Sequence, residues 1–177
     1  LEICRRIGEI YETKLNDAEN AIVAYNEVLS RFSTDESTLI ALTRLYEKGE
    51  KWEDLREILE TRSELTEEPS ERAELRYQIA EIQRKHTRDI ESAIEILEDI
   101  LSERPEHQGA LESLSSIAFG DDLEHRVSAA RALRPVFEAR GDHEGLIRVL
   151  EVLGESDDAY ERVESLRRAS EIADLAD

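Results

Sequence analysis

Asp17–Ser30, DAENAIVAYNEVLS, returns as Asp89–Ser102, DIESAIEILEDILS. Asp17 and Asp89, Ala21 and Ala93, and Leu29 and Leu101 each lie 72 residues apart. Within both copies the apolar residues recur three or four positions apart, the period of a helix with one greasy edge. A chain that repeats itself at such a distance poses a question of stacking, because no single copy buries its apolar edge alone.

Outward from this pair the same period continues. Helix one is expected at about Glu2–Lys14, with Cys4, Ile7 and Tyr11 as its stripe and Gly8 on that stripe for close approach of a neighbour. Asn16 is expected to cap helix two, Asp17–Phe32, with Glu19 completing a capping box. Ser33 and Glu36 have the same spacing before helix three, Asp35–Lys48, which Gly49 is expected to end in a left-handed conformation. Helix four follows at Trp52–Leu65, then helix five at Ser70–Lys85 behind Pro69. Helix six is the returning copy, and helix seven, His107–Phe119, repeats helix three: Leu111 and Leu114 lie 72 residues beyond Leu39 and Leu42.

The register then changes. Glu71-Arg72-Ala73-Glu74 matches Glu161-Arg162-Val163-Glu164 at a spacing of 90, an excess of 18 residues, about one helix. That extra helix is placed at Asp122–Ala139 with a stripe of Leu123, Val127, Ala130, Leu133 and Phe137. Pro135 inside it removes a backbone bond, so a kink or a split near Leu133 is expected. Helices at His143–Leu153 and Asp158–Ala176 complete a chain of about ten, all-α, with no sustained period-2 alternation. The units fall at about 1–33, 34–67, 70–105, 107–140 (irregular) and 143–177, in a single helical-repeat domain. The chain opens on Leu1 already in helical pattern and reads as a piece of a longer array.

Composition narrows the function. The net charge is −20, and 37% of residues are charged. A polyanion would be repelled overall, which argues against nucleic acid and against an anionic membrane surface. A basic or neutral peptide fits better. No apolar run approaches the ~18 residues of a membrane span. The single cysteine, Cys4, excludes an intrachain disulfide and fits a reducing compartment, so a cytoplasmic location is expected. The four histidines, His86, His107, His125 and His143, have no His or Cys three or four residues on, and all fall near helix ends. No phosphate loop and no nucleophile motif is present. The expectation is no enzyme, no cofactor and no metal.

The pattern resembles the tetratricopeptide repeat, a helix–turn–helix unit of about 34 residues. Cys4, Ile7-Gly8 and Tyr11 fall on the spacing of its first helix; Ala21, Tyr25, Val28 and Ser33 fall near its later positions, one residue late. Ile79-Ala80, Ala93, Leu97, Ile100 and Pro105 match in the third unit, while the second is looser. The likeness covers roughly residues 1–119; Asp121-Asp122, Arg126 and Ala129-Ala130-x-Ala132-Leu133 look more like a HEAT-repeat helix. The resemblance implies a right-handed α-α superhelix of antiparallel hairpins that binds a partner protein or peptide along a concave face. In that family the first helix of each unit lines the groove. Carried over, this gives Arg5, Glu9 and Glu12, then Ile40, Arg44 and Lys48, then Tyr77, Glu81, Arg84 and Lys85, then Glu112 and Ser116, with Ile40 and Tyr77 expected off the packing stripe. Some members clamp the carboxylate tails of chaperones with Lys and Asn. The matching positions here hold Arg5, Glu9, Ala41, Glu74 and Gln78, so no binding of that kind is expected. A second reading is structural: helices one and ten lack a capping neighbour, and Leu166, Ala169, Ile172 and Leu175 form an open end for docking or self-association.

Overall fold

The periodic edges become ten α-helices, with no strand among the described residues, 2–176 of a computed structural model. The chain divides into two compact units, Leu1–Ile82 and Gln83–Asp177. The first holds α1 (Glu2–Thr13), α2 (Ala18–Leu29), α3 (Glu36–Lys48), α4 (Trp52–Leu65) and α5 (Pro69–Ile82), each packed on the next. The second opens with a π-helical turn, Gln83–Thr87, and continues through α6 (Ile90–Glu103), α7 (Gln108–Ala118), α8 (Arg126–Arg140), α9 (His143–Leu153) and α10 (Ala159–Ala176). Consecutive helices pack here too, and α8 also touches α6. Short connections make sequential neighbours antiparallel hairpins.

The 72-residue repeat holds down to single hydrogen bonds. Asp17 caps α2 by accepting from the Asn20 N–H at 3.0 Å, and Asp89 caps α6 by accepting from the Ser92 N–H at 3.2 Å. Before each cap stands a residue with positive φ, Asn16 at 50° and Arg88 at 60°. Each capping residue's own N–H reaches back six positions, Asp17 to the Tyr11 carbonyl at 2.8 Å and Asp89 to the Gln83 carbonyl at 3.0 Å. Asp35 and His107, also 72 apart, cap α3 and α7 through the Thr38 and Ala110 N–H groups at 3.0 and 3.1 Å. Ala21 and Ala93 are both fully buried, as are Leu42 and Leu114.

These caps correct the expected ones. Asn16 is not the cap of α2; it supplies the left-handed turn and Asp17 caps. Asp35, not Ser33, caps α3. Gly49 is not left-handed (φ −88°); Glu50 takes that conformation at φ 52°. The chain must reverse one residue before the next N-cap, because the Lys51 N–H closes on the Tyr46 carbonyl at 2.9 Å. Only at Gly141 (φ 64°) is this position filled by the residue without a Cβ. Replacing Glu50 with Gly is therefore expected to stabilise the fold by about 0.5–1 kcal/mol, read as a higher urea midpoint.

Other expectations shift for reasons of packing. Of the stripe expected on α1, Cys4 and Tyr11 are half-buried and Gly8 is buried against the Tyr25 ring of α2, but Ile7 is exposed and lies off the covered face. Helix five ends at Ile82, and the residues up to Thr87 widen into the π-helical turn. Helix eight starts at Arg126, which leaves Leu123 exposed in the loop before it. It is not split: Pro135 lies inside one unbroken helix. On α10, Ala169 is buried and Ile172 half-buried on the side that meets α9, and the half-exposed Leu166 sets its side chain against Gly154, so the open face carries Tyr160 and Val163 instead. Leu175 falls outside the residues whose side chains are described.

Candidate functional site

In the first unit the expected face is carried by alternate helices, α1, α3 and α5. Its centre is an ion pair between α1 and α3. Arg44 donates to Glu12 Oε1 from Nε at 3.0 Å and from Nη2 at 2.5 Å. The Glu12 side chain is only 15% exposed, whereas that of Arg44 is 61% exposed, so the acid is the anchored partner. Behind it the Tyr25 hydroxyl donates to Glu12 Oε2 at 3.2 Å. Burial, reinforced by the Glu12 charge, pushes the Tyr25 phenol up to about 12, so it stays a neutral donor. One turn before Arg44 on the same helix, Ile40 stands 43% exposed.

The expected residues are only partly brought together. Arg44 reaches α1, but through Glu12 rather than through Arg5 or Glu9. Arg5 and Glu9 pair along α1 at 3.9 Å, an ordinary i,i+4 contact. Tyr77 and Glu81 lie on α5, and both are half-buried and engaged with neighbouring groups. Tyr77 is therefore not the exposed aromatic that its place off the stripe suggested. Arg84 lies in the π-helical turn that opens the second unit, half-buried and also engaged.

Sequence reasoning missed two features. One is a cleft of about 370 Å³ where α3, α4 and the start of α5 converge, lined by Leu39 and Leu65 with Glu36, Glu67, Glu71 and Arg62. The Arg62 side chain is 19% exposed and lies 3.8 Å from Glu71. The other, in the second unit, is a junction of α8 and α10. Arg131 grips Glu161 in a fork, Nε to Oε1 at 2.8 Å and Nη2 to Oε2 at 2.6 Å. The buried Ser156 hydroxyl donates to the same carboxylate at 2.6 Å. The hydrogen bond from Arg131 holds the Glu161 carboxyl down at about 2 despite the opposing effect of burial. Glu138 and Arg168 add a second α8–α10 ion pair at 3.1 Å. No spacing rule joins Arg131 to a residue 30 positions on; only the fold does.

Among the described residues no group of three or more His, Cys, Asp or Glu could hold a metal ion, and no helix is long and apolar enough to cross a membrane. What the geometry offers in the first unit is an acid anchored from behind, Glu12, that holds Arg44, with the exposed aliphatic side chain of Ile40 one turn away on α3.

Family models of the tetratricopeptide repeat match residues 1–35, 38–73 and 74–107, more than half of the chain. Among solved structures, MamA is 20% identical with a TM-score of 0.51, over 96% of this chain and 96% of that one. A Podosopora anserina chain assigned as a kinesin light chain with nearly identical TPR-like repeats is 18% identical, over 96% of this chain and 94% of that one, with a TM-score of 0.45. The likeness to MamA is one of fold. No curated protein matches the sequence.

Proposed function

Because this chain belongs to the tetratricopeptide repeat family, whose fold is in general a protein–protein interaction scaffold, we propose that it seats a partner peptide on the face built by α1, α3 and α5. The observation that carries this reading is Ile40. A large aliphatic side chain stands in water beside an arginine that the α1–α3 ion pair holds in one orientation. Its desolvation by a partner would be favourable, and a fixed arginine beside it loses little entropy on binding. Arg5, Glu9, Tyr77 and Glu81 extend the proposed face along α1 and α5. Arg84 belongs to the second unit and joins the proposal only through its position in the repeat.

The net charge of −20 favours a basic or neutral partner by long-range attraction. The acidic cleft beside Arg62 is compatible with a cationic side chain of such a peptide. The family fold argues for binding rather than catalysis.

The test is a displayed random-peptide library panned against the whole chain. Enriched peptides are expected to be basic, and Ile40→Asp is expected to weaken them by about tenfold or more. Arg44→Glu, which sets two acids against each other at Glu12, is expected to weaken them as well. Peptides that bind Ile40→Asp, Arg44→Glu and Tyr77→Ala as tightly as the parent chain would place the site elsewhere.

A further inference from the structure

We propose that the second unit carries a docking groove of its own, between α6 and α8, which seats a basic amphipathic helix of a partner protein. The two helices touch, and between them opens a cavity of about 240 Å³. Leu101 and Ala132, 1% and 2% exposed, form its floor. Pro135 and Ala139 of α8 stand exposed along one wall, and Glu98 and Ser102 of α6 along the other. α7 packs against both helices, while the lining comes from α6, α8 and Pro105, so the groove opens on the side away from α7.

The two walls differ in chemistry. On α8, Ser128, Ala132, Pro135 and Ala139 recur at i, i+4, i+7 and i+11 and carry no charge. The arginines of that helix are engaged elsewhere: Arg126 with Glu155, Arg131 with Glu161 of α10, and Arg134 with Glu138, which also meets Arg168 of α10. Arg140 donates to the Pro105 carbonyl at the end of the groove. On α6, Glu91, Glu95 and Glu98 run at i, i+4 and i+7 along the edge that Ser102 continues. All three are exposed, and among the described residues none of them pairs with a cation. Like charges at these spacings repel, so a row of cations laid beside them would relieve α6. Seventy-two residues earlier the same edge of α2 reads Glu19, Val23, Asn26 and Ser30, and Asn26 donates to the Tyr46 hydroxyl at 3.1 Å. In the second unit the positions of Asn26 and Tyr46 hold Glu98 and Ala118, so that bond cannot form and acids accumulate beside the apolar wall. The occupant is helical because both walls are. Their backbone groups are satisfied within their own helices, and an extended strand laid over them would leave its own unpaired. The small side chains of α8 let a third helix approach to roughly 8–10 Å, its apolar edge on Pro135 and Ala139 and its Lys or Arg residues over the glutamates.

The probe is a fluorescein-labelled helical peptide of leucine, alanine and lysine, about four turns long. Its leucines lie on one edge and its lysines at i, i+4 and i+7 on the adjoining one; it is titrated with the whole chain and followed by anisotropy. Saturable binding that weakens with salt is expected. Glu95→Lys with Glu98→Lys is expected to weaken it by about tenfold or more, and Ala139→Trp, which fills the groove without changing charge, severalfold. All three positions are exposed, so thermal melts are expected to match the parent and serve as the folding control. Glu19→Lys with Glu27→Lys makes the same change of net charge on α2 and is expected to leave the affinity nearly unchanged. Equal weakening by the two pairs would mean attraction to the overall charge alone and overturn the proposal. A peptide of the same composition with a central proline is expected to bind far less; equal binding would assign the groove to an extended segment and overturn it. Ile40→Asp is expected to leave this peptide's affinity unchanged, so failure here and failure of the first-unit reading are told apart; weakening by Ile40→Asp alone would place the peptide on the first unit and overturn the proposal. No saturable binding at millimolar peptide would do the same. So would a concentration-dependent rise in mass by light scattering that Ala139→Trp abolishes, which would assign the groove to a second copy of the chain.

Discussion

Tyr25→Ala is expected to cost about 4 kcal/mol of folding stability, in the range of large-to-small changes at well-packed aromatic sites. Tyr25 is 2% exposed and closes the α1–α2 hairpin in two ways. Its ring lies so near Gly8 that a Cβ there would stand 2.6 Å from Cε1, so ring and glycine are cut to each other. Its hydroxyl, bonded to Glu12, holds the acid that in turn holds Arg44. Removing the ring opens a cavity under α1 and frees the anchor of the α1–α3 ion pair together. Tyr25→Phe separates the two contributions: it keeps the ring and loses one hydrogen bond, at about 1 kcal/mol. Gly8→Val should overpack the same contact at about 1–3 kcal/mol, and combined with Tyr25→Ala should cost less than the two changes summed, because the space that one fills the other vacates. Urea midpoints of the four variants check the set, and strict additivity would refute the contact. The pH dependence has a defined sign. The folded phenol is raised from 10.0 to about 12, so its contribution is complete below pH 10 and is lost as pH rises through that window.

Helix existence was legible because each helix keeps one apolar edge at constant period; Trp52–Leu65 and His143–Leu153 fall where the period places them. The repeat was legible for the same reason, and it survives as matched caps at Asp17 and Asp89. What periodicity cannot show is which of two edges is covered. α1 offers Cys4, Gly8 and Tyr11 on one side and Ile3, Ile7 and Ile10 on the other. Hydropathy favours the isoleucines, yet the covered edge is the one with the glycine, because close approach of the Tyr25 ring decides the contact. The caps were misplaced by one or two residues for a related reason. Left-handed turns at Asn16, Glu50 and Arg88 are imposed by backbone closure onto Tyr11, Tyr46 and Gln83, and three residues with side chains accept them. A rule that waits for glycine looks one residue too early at Gly49. On the proposed face, Ile40 could be placed from its offset to the core of α3. Glu12 as the anchor of Arg44 could not, since nothing in the spacing of residues 32 positions apart announces an ion pair.

Glu161→Gln is expected to cost about 1–2 kcal/mol near neutral pH and to remove a segment of the acid-denaturation profile. A single exposed ion pair would not have this effect, since such pairs contribute about 0–1 kcal/mol. Here the side chain is only 19% exposed and the arginine binds it in a fork, the arrangement in which a charged hydrogen bond is strongest. Ser156, 1% exposed, donates to the same carboxylate and accepts the Asp158 N–H at 3.2 Å, while its carbonyl accepts from Arg162 at 2.7 Å. The carboxylate thus fixes the turn between α9 and α10 as well as the contact between α8 and α10. Its folded value is depressed from 4.5 to about 2. A depressed acid contributes stability that is present above its unfolded value and drains away as pH falls through the folded one, so the loss runs between about pH 4.5 and 2. Urea midpoints across that interval should fall more steeply for the parent chain than for Glu161→Gln, and the two curves should converge near pH 2. Arg131→Met should shift the steep segment toward pH 4.5, because Ser156 alone depresses the carboxyl less. Parallel curves for parent and Glu161→Gln throughout the interval would show that the fork contributes nothing to holding α8 and α10 together, and that the exposed part of Arg131 is solvated as any surface cation is.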